Sequence, residues 1–133
     1  MKNLESTCII DDDELFVFGV KLLMRKMKAF GSLRVYANGQ EALKSLREML
    51  EKGEKLPDLF FLDLNMPIMD GWEFLESFKK IPQEDRNHIT LFVVSSSVDP
   101  EDLQKTKQYE LIKNYILKPI TVHDLEEVLS QVA

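Results

Sequence analysis

The sequence predicts an α/β domain built on a parallel sheet with helices on both faces. Two observations carry that prediction. Short apolar runs alternate with longer amphipathic stretches five times along the chain, and each parallel return needs a crossover of about that length. The run Leu59-Phe60-Phe61-Leu62 is apolar throughout rather than alternating, as a central strand covered on both faces requires.

Each element follows in order. Thr7-Cys8-Ile9-Ile10 reads as a buried strand cut off by Asp11-Asp12-Asp13. From Glu14 to about Lys28 a helix carries Leu15, Phe18, Leu22 and Met27 or Leu23 at helical spacing, which makes them its apolar stripe. Lys21, Arg25, Lys26 and Lys28 fall late in it, where cations suit the helix dipole, and Gly31 is expected to stop it. Leu33 to Tyr36 alternates, as a strand near the sheet edge does. Asn38 and Glu41 form a capping-box pattern for a helix presenting Ala42, Leu43, Leu46 and Leu50, which Gly53 ends.

After the Leu59–Leu62 strand comes the loop Asp63-Leu64-Asn65-Met66-Pro67, and Gly71-Trp72-Glu73-Phe74-Leu75 opens a third helix. Ile89 to Val94 is a fourth buried strand, followed by Ser95-Ser96-Ser97. Asp99 caps the next helix, with Pro100 at its first position. Tyr115-Ile116-Leu117 is a short fifth strand ended by Lys118-Pro119. Thr121 caps a last helix carrying Val122, Leu125, Val128 and Leu129.

Composition narrows the function classes. A length of 133 residues suits one domain, 1–133, and 44% hydrophobic against 30% charged residues is a globular balance rather than a disordered one. No apolar run approaches the roughly 20 residues of a membrane span, and Met1 to Glu5 offers no signal-peptide core. A cytoplasmic location is expected, with no membrane partner and no output domain after the last helix. The net charge of −6 argues against nonspecific nucleic-acid binding, which relies on clustered cations. It suits a divalent cation or a basic partner surface. Cys8, the single cysteine, sits in an apolar run and reads as a buried inert thiol.

In such a sheet, ligands bind outside the carboxyl ends of the strands. Those positions here are Asp11 and Asp12, Asp63, Ser95 and Lys118, while the second strand ends in Ala37. Carboxylates held close together repel unless a cation joins them. An all-oxygen set favours a hard ion such as Mg²⁺. Asp63 could then act as a nucleophile that forms an acyl phosphate, with charge on the phosphoryl oxygens shared by Mg²⁺, the Lys118 ammonium and the Ser95 hydroxyl.

The order Asp11-Asp12, Asp63 with Asn65-Met66-Pro67 and Asp70-Gly71, Ser95, and Lys118-Pro119 closely resembles the receiver domain of two-component response regulators. The likeness runs from Thr7 to about Val132. It implies a flavodoxin-like, doubly wound five-stranded parallel sheet of order 2-1-3-4-5 with five helices. By that resemblance Asp63 is the phospho-acceptor and Mg²⁺ is bound by Asp12, Asp63 and the backbone carbonyl of Asn65, with Asp11 acting largely through water. Ser95 and Tyr115 match the family's switch positions, Lys118 contacts the phosphoryl group, and the Lys118–Pro119 bond is expected to be cis. A sensor histidine kinase or phosphotransfer protein is the implied donor, and an unidentified protein the downstream target. Two details depart from the commonest pattern: Ser rather than Thr at 95, and the acidic run extended by Asp13 and Glu14.

Other readings fit these residues less well. A Mg²⁺-dependent aspartyl-phosphate phosphatase would carry its nucleophile on the first strand, with a second Asp two residues on. Here Asn65 stands two residues after a third-strand Asp. A flavin or nucleotide module would need a phosphate-binding loop where Asp11-Asp12-Asp13 stands. A receiver-like adaptor that is never phosphorylated would not need the acidic set and lysine, which are complete. Trp72, Phe74 and Phe78 read as packing, and His88 and His123 receive no role.

Overall fold

Strand and helix alternate as expected in the computed structural model, which describes residues 4–66, 68–96 and 99–132. The elements are β1 (Leu4–Ile10), α1 (Glu14–Met27), β2 (Phe30–Tyr36), α2 (Gly39–Glu51), β3 (Leu59–Asp63), α3 (Gly71–Phe78), α4 (Gln83–Arg86), β4 (Thr90–Ser95), α5 (Pro100–Thr106), β5 (Ile112–Leu117) and α6 (Val122–Gln131). The strands form one sheet in the order β2-β1-β3-β4-β5, every pair parallel. The chain steps outward from β1 to β2, then returns to the other side of β1 with β3. The ends of β1 and β3 therefore flank the point where the connections diverge.

Two apolar layers sandwich the sheet. On one face Cys8, Ile10, Phe60 and Leu62 meet Ala42, Leu43 and Leu46 of α2 and Phe74, Leu75 and Phe78 of α3. On the other, Ile9, Phe61, Phe92 and Val94 meet Phe16, Val17, Val20 and Met24 of α1 and Leu125, Val128 and Leu129 of α6. Successive strand residues point to opposite faces, so Ile9 and Ile10 serve different layers. β3 and β4 are buried along their whole length, while β2, at the edge, is exposed or at most half-buried throughout. Among the described residues no helix is long and apolar enough to cross a membrane.

The structure corrects several expectations. The stripe Leu15, Phe18 and Leu22 is exposed, at 84%, 63% and 40%, and α1 buries Phe16, Val17, Val20 and Met24 instead. Both sets fall at helical spacing, because this helix is apolar on more than one side. Only its rotation against β1, set from the Asp13 cap, decides between them. α1 ends at Lys28, which takes a left-handed conformation with φ 57°, and Gly31 lies within β2. β1, β2 and β5 begin earlier than expected, and Ser95 closes β4 rather than following it. A sixth helix, the single turn α4, stands in the connection before β4, so five helices was one too few. Met49 rather than Leu50 is fully buried in α2, and Val122 is 45% exposed. Pro67 and Ser97 lie outside the described residues.

The caps expected at Asn38, Asp99 and Thr121 form, Asn38 by the accepting half of its box, and Asp70 adds one not expected. Asn38 Oδ1 accepts from Glu41 N at 2.9 Å, and Asp99 Oδ1 accepts from Glu101 N at 2.9 Å. Asp70 with Glu73, and Thr121 with Asp124, make reciprocal capping boxes. The one that matters most for the site is Asp13, whose Oδ1 accepts from Phe16 N at 3.1 Å and starts α1 directly after the acidic run.

Candidate functional site

Asp11 follows β1, and its backbone N–H donates to Tyr36 O at 2.9 Å, holding the turn against the end of β2. Its Oδ1 accepts from Asp13 N at 2.9 Å. That bond turns the other oxygen, Oδ2, inward. Asp63 closes β3 and its Oδ1 accepts from Asn65 N at 3.4 Å, a long contact that leaves the carboxylate lightly held. One carboxylate oxygen from each of Asp11, Asp12 and Asp63 can be chosen so that all lie within 4.8 Å of one another. Asp11 and Asp63 are buried and Asp12 is exposed, so the cluster opens to solvent on one side.

Lys118 reaches into this cluster from the end of β5. Its Nζ lies 2.8 Å from Asp11 Oδ2, 3.9 Å from Asp63 Oδ2 and 3.8 Å from Asp13 Oδ2. Its backbone N–H donates to Ser95 O at 2.8 Å, and the Lys118–Pro119 peptide is cis. The approach to Asp11 Oδ2 is an ion pair, yet that buried oxygen meets no donor at hydrogen-bonding angles among the described residues. A buried carboxylate oxygen with an ammonium as its ion-pair partner, set in an all-oxygen cluster, leaves coordination that a hard cation would satisfy. The residues present fit Mg²⁺.

Burial pushes the Asp63 carboxyl up to about 6 from its ordinary 3.8; the neighbouring Asp11 carboxylate adds to the rise, against the Lys118 ammonium and the Asn65 N–H. By contrast, burial pushes the Cys8 thiol upward within the core, in keeping with an inert side chain.

Ser95 is buried at the end of β4, which pairs with β3 so that Asp63 stands opposite Val94. Tyr115 is half-buried on β5 opposite Val93 and packs against the α2–α3 layer. The fold thus brings Asp11, Asp12, Asp63 and Lys118 together by side chain. Ser95 joins them through its backbone bond to Lys118.

Three residues at the site make contacts that spacing along the sequence does not show. Asp13 is both the helix cap and a carboxylate facing Lys118. Phe16 places its ring under the ammonium, with Nζ 4.4 Å from the centroid. Gly71 brings α3 against the end of β3: its N–H donates to Leu64 O at 2.9 Å, and a Cβ there would lie 2.6 Å from Asp63 O. The extended acidic run was the only visible sign of the first. Nothing in the spacing pointed to the ring.

Comparison with known proteins agrees with this architecture. The family model for the response regulator receiver domain matches residues 7–130. A two-component response regulator from Cytophaga hutchinsonii superposes with a TM-score of 0.88 at 28% identity, covering 98% of this chain and 97% of that one. A response regulator receiver protein from Dyadobacter fermentans gives 0.82 at 30% identity, with 96% of each chain covered. The nitrate/nitrite response regulator protein NarL of Escherichia coli is 33% identical over 135 aligned positions, which take in all of this chain and 57% of that protein. The chain spans half or less of the length of several other curated relatives. With the sheet order, the strand-end acids and a family match covering nearly its whole length, the chain belongs to the receiver domains of response regulators, the phosphorylation-dependent switches of two-component signalling.

Proposed function

We propose that Asp63 accepts the phosphoryl group, and that residues 1–133 act as one cytoplasmic receiver domain whose only chemistry is its own phosphorylation and dephosphorylation. The observation that carries this is the position of Lys118 Nζ, 2.8 Å from Asp11 and 3.9 Å from Asp63, inside a cluster of three carboxylates. An Asp63 carboxylate oxygen attacks the phosphorus of a partner phosphohistidine. The P–N bond breaks and the imidazole leaves with the electron pair. Asp11, Asp12 and Asp63, with the Asn65 carbonyl, would hold Mg²⁺, which neutralises charge on the phosphoryl oxygens. Lys118 gives up Asp11 for one of those oxygens, and Ser95 donates its hydroxyl to another.

The new charge and acceptor oxygens on Asp63 then bias a two-state surface. Ser95 moves toward the phosphoryl group and Tyr115 turns toward the space it leaves. The surface from Thr106 to Tyr109 and from Tyr115 to Val122 repacks and meets a protein target. The donor is a sensor histidine kinase or phosphotransfer protein. Its docking is supported by the exposed stripe Leu15, Phe18 and Leu22 on α1, which begins one turn from Asp11 and Asp12, with exposed Ile68, Leu117 and Val122 also at the carboxyl ends of the strands.

Acetyl phosphate with Mg²⁺ should label the wild type and not Asp63→Asn. Stable labelling of that variant would overturn the assignment. Phe18→Ser should leave acetyl phosphate labelling unchanged but slow transfer from a phosphohistidine donor by about tenfold or more, since burying such a ring in an interface is worth about 1.5–3 kcal/mol.

A further inference from the structure

The chemistry assigned to Lys118 needs a mobile side chain held in one small region. Lysine has a four-carbon stem and about 2 kcal/mol of rotamer entropy. Here it stands at the rim of the sheet, with Leu117 on one side 48% exposed and Pro119 on the other also exposed. Yet the Lys118 side chain is only 11% exposed. Asp11 alone cannot be what retains it through the reaction, because Lys118 must release Asp11 to reach an oxygen on Asp63.

Phe16 and Asp13 offer a hold that survives that exchange. The Phe16 ring is nine-tenths buried, fixed among the α1 and α6 side chains, and Nζ sits 4.4 Å from its centroid. Attraction of an ammonium to a ring face acts anywhere within about 6 Å of the centroid and strengthens when the pair is shielded from water. It therefore tolerates a shift of Nζ from Asp11 toward Asp63, as a directional hydrogen bond would not. Asp13 supports this twice: Oδ1 takes the Phe16 N–H at 3.1 Å and fixes the first turn that carries the ring, while Oδ2 faces Nζ at 3.8 Å.

We propose that Phe16 and Asp13 are positioning residues for Lys118, the ring face acting as the seat on which the ammonium moves from Asp11 to the phosphoryl group. The proposal rests on the reading of Asp63 as acceptor. A purely packing role for Phe16 makes a different forecast, since leucine would fill much of the same buried space.

The test follows wild type, Phe16→Leu, Phe16→Tyr and Asp13→Asn by two measurements: the rate of acetyl phosphate labelling at saturating Mg²⁺, and the proton shifts of the Lys118 side-chain methylenes. Thermal unfolding of each variant confirms that it is folded at the assay temperature. The ring should displace the Lys118 methylene signals upfield in the wild type, and Phe16→Leu should abolish that displacement. Phe16→Leu should label about five- to tenfold more slowly, Phe16→Tyr within about twofold of wild type, and Asp13→Asn about two- to threefold more slowly. Labelling of Phe16→Leu at the wild-type rate, or a wild-type Lys118 without ring displacement, overturns the proposal while leaving the acceptor intact. A wild type that takes no label at all removes the acceptor reading and this inference with it.

Discussion

Asp63 is held in the folded chain at a cost that an uncharged side chain of the same shape would not bear. Its folded carboxyl sits at about 6, against 3.8 ordinarily, chiefly through burial. As pH rises from about 4 to 6 the unfolded chain gives up this proton before the folded one, so stability falls across that window, and above about 6 the full penalty stands. Asp63→Asn should therefore stabilise the metal-free protein at pH 7, by on the order of 1–3 kcal/mol. The gain should vanish near pH 4 and shrink on adding Mg²⁺. Chemical denaturation at the two pH values, with and without the ion, checks it; a variant no more stable than wild type at pH 7 would refute the account. Asp63 and Lys118 were legible in the sequence because a strand end fixes where a residue sits without any knowledge of rotamers. Phe16 was not. Its contact with Lys118 depends on how α1 is rotated, which spacing along one apolar helix leaves open.

At the scale of elements, the capping signals at Asn38, Asp99 and Thr121 were readable because a side-chain bond to a nearby N–H is local in sequence. The one-turn α4 carried no such signal: it starts at Pro82 without a side-chain cap. Arg86 secures the turn from there, its Nε donating to Ile81 O at 2.8 Å. A second feature invisible in the spacing joins α3 to the segment after α5. Trp72 and Tyr109 face each other at 5.7 Å between ring centroids, and Lys105 Nζ lies 4.4 Å above the Trp72 ring. The Tyr109 hydroxyl donates to Glu76 at 2.7 Å; burial and that carboxylate push it up to about 12. Such ring pairs contribute about 0.5–1.5 kcal/mol beyond their buried area. A double-mutant cycle with Trp72→Leu and Tyr109→Leu should return a coupling of about 1 kcal/mol in denaturation. Additive effects within about 0.3 kcal/mol would mean the rings merely lie side by side.

Across the whole molecule, the topology does what no single motif does. Because the connections diverge at β1 and β3, Asp11 and Asp63, 52 positions apart in sequence, come to share one ion-sized space, and β5 delivers Lys118 from the far edge. The same arrangement concentrates like charge in a chain whose net charge is already −6. The fold tolerates this in part because Lys118 offsets some of the repulsion. A divalent cation that binds the folded cluster and not the unfolded chain must then stabilise the whole domain by mass action, by about 1.4 kcal/mol when its free concentration is ten times its Kd. Adding Mg²⁺ should raise Tm in the wild type, and removing it with a chelator should reverse the rise. Asp12→Asn should abolish most of the response, since Asp12 is the exposed member of the cluster, with little change in Tm without the ion. Leu15→Gln, on the outer face of α1, should leave the response intact. A Mg²⁺ response that persists in Asp12→Asn would locate the ion elsewhere on this acidic chain, and the three strand-end carboxylates would lose their claim to it.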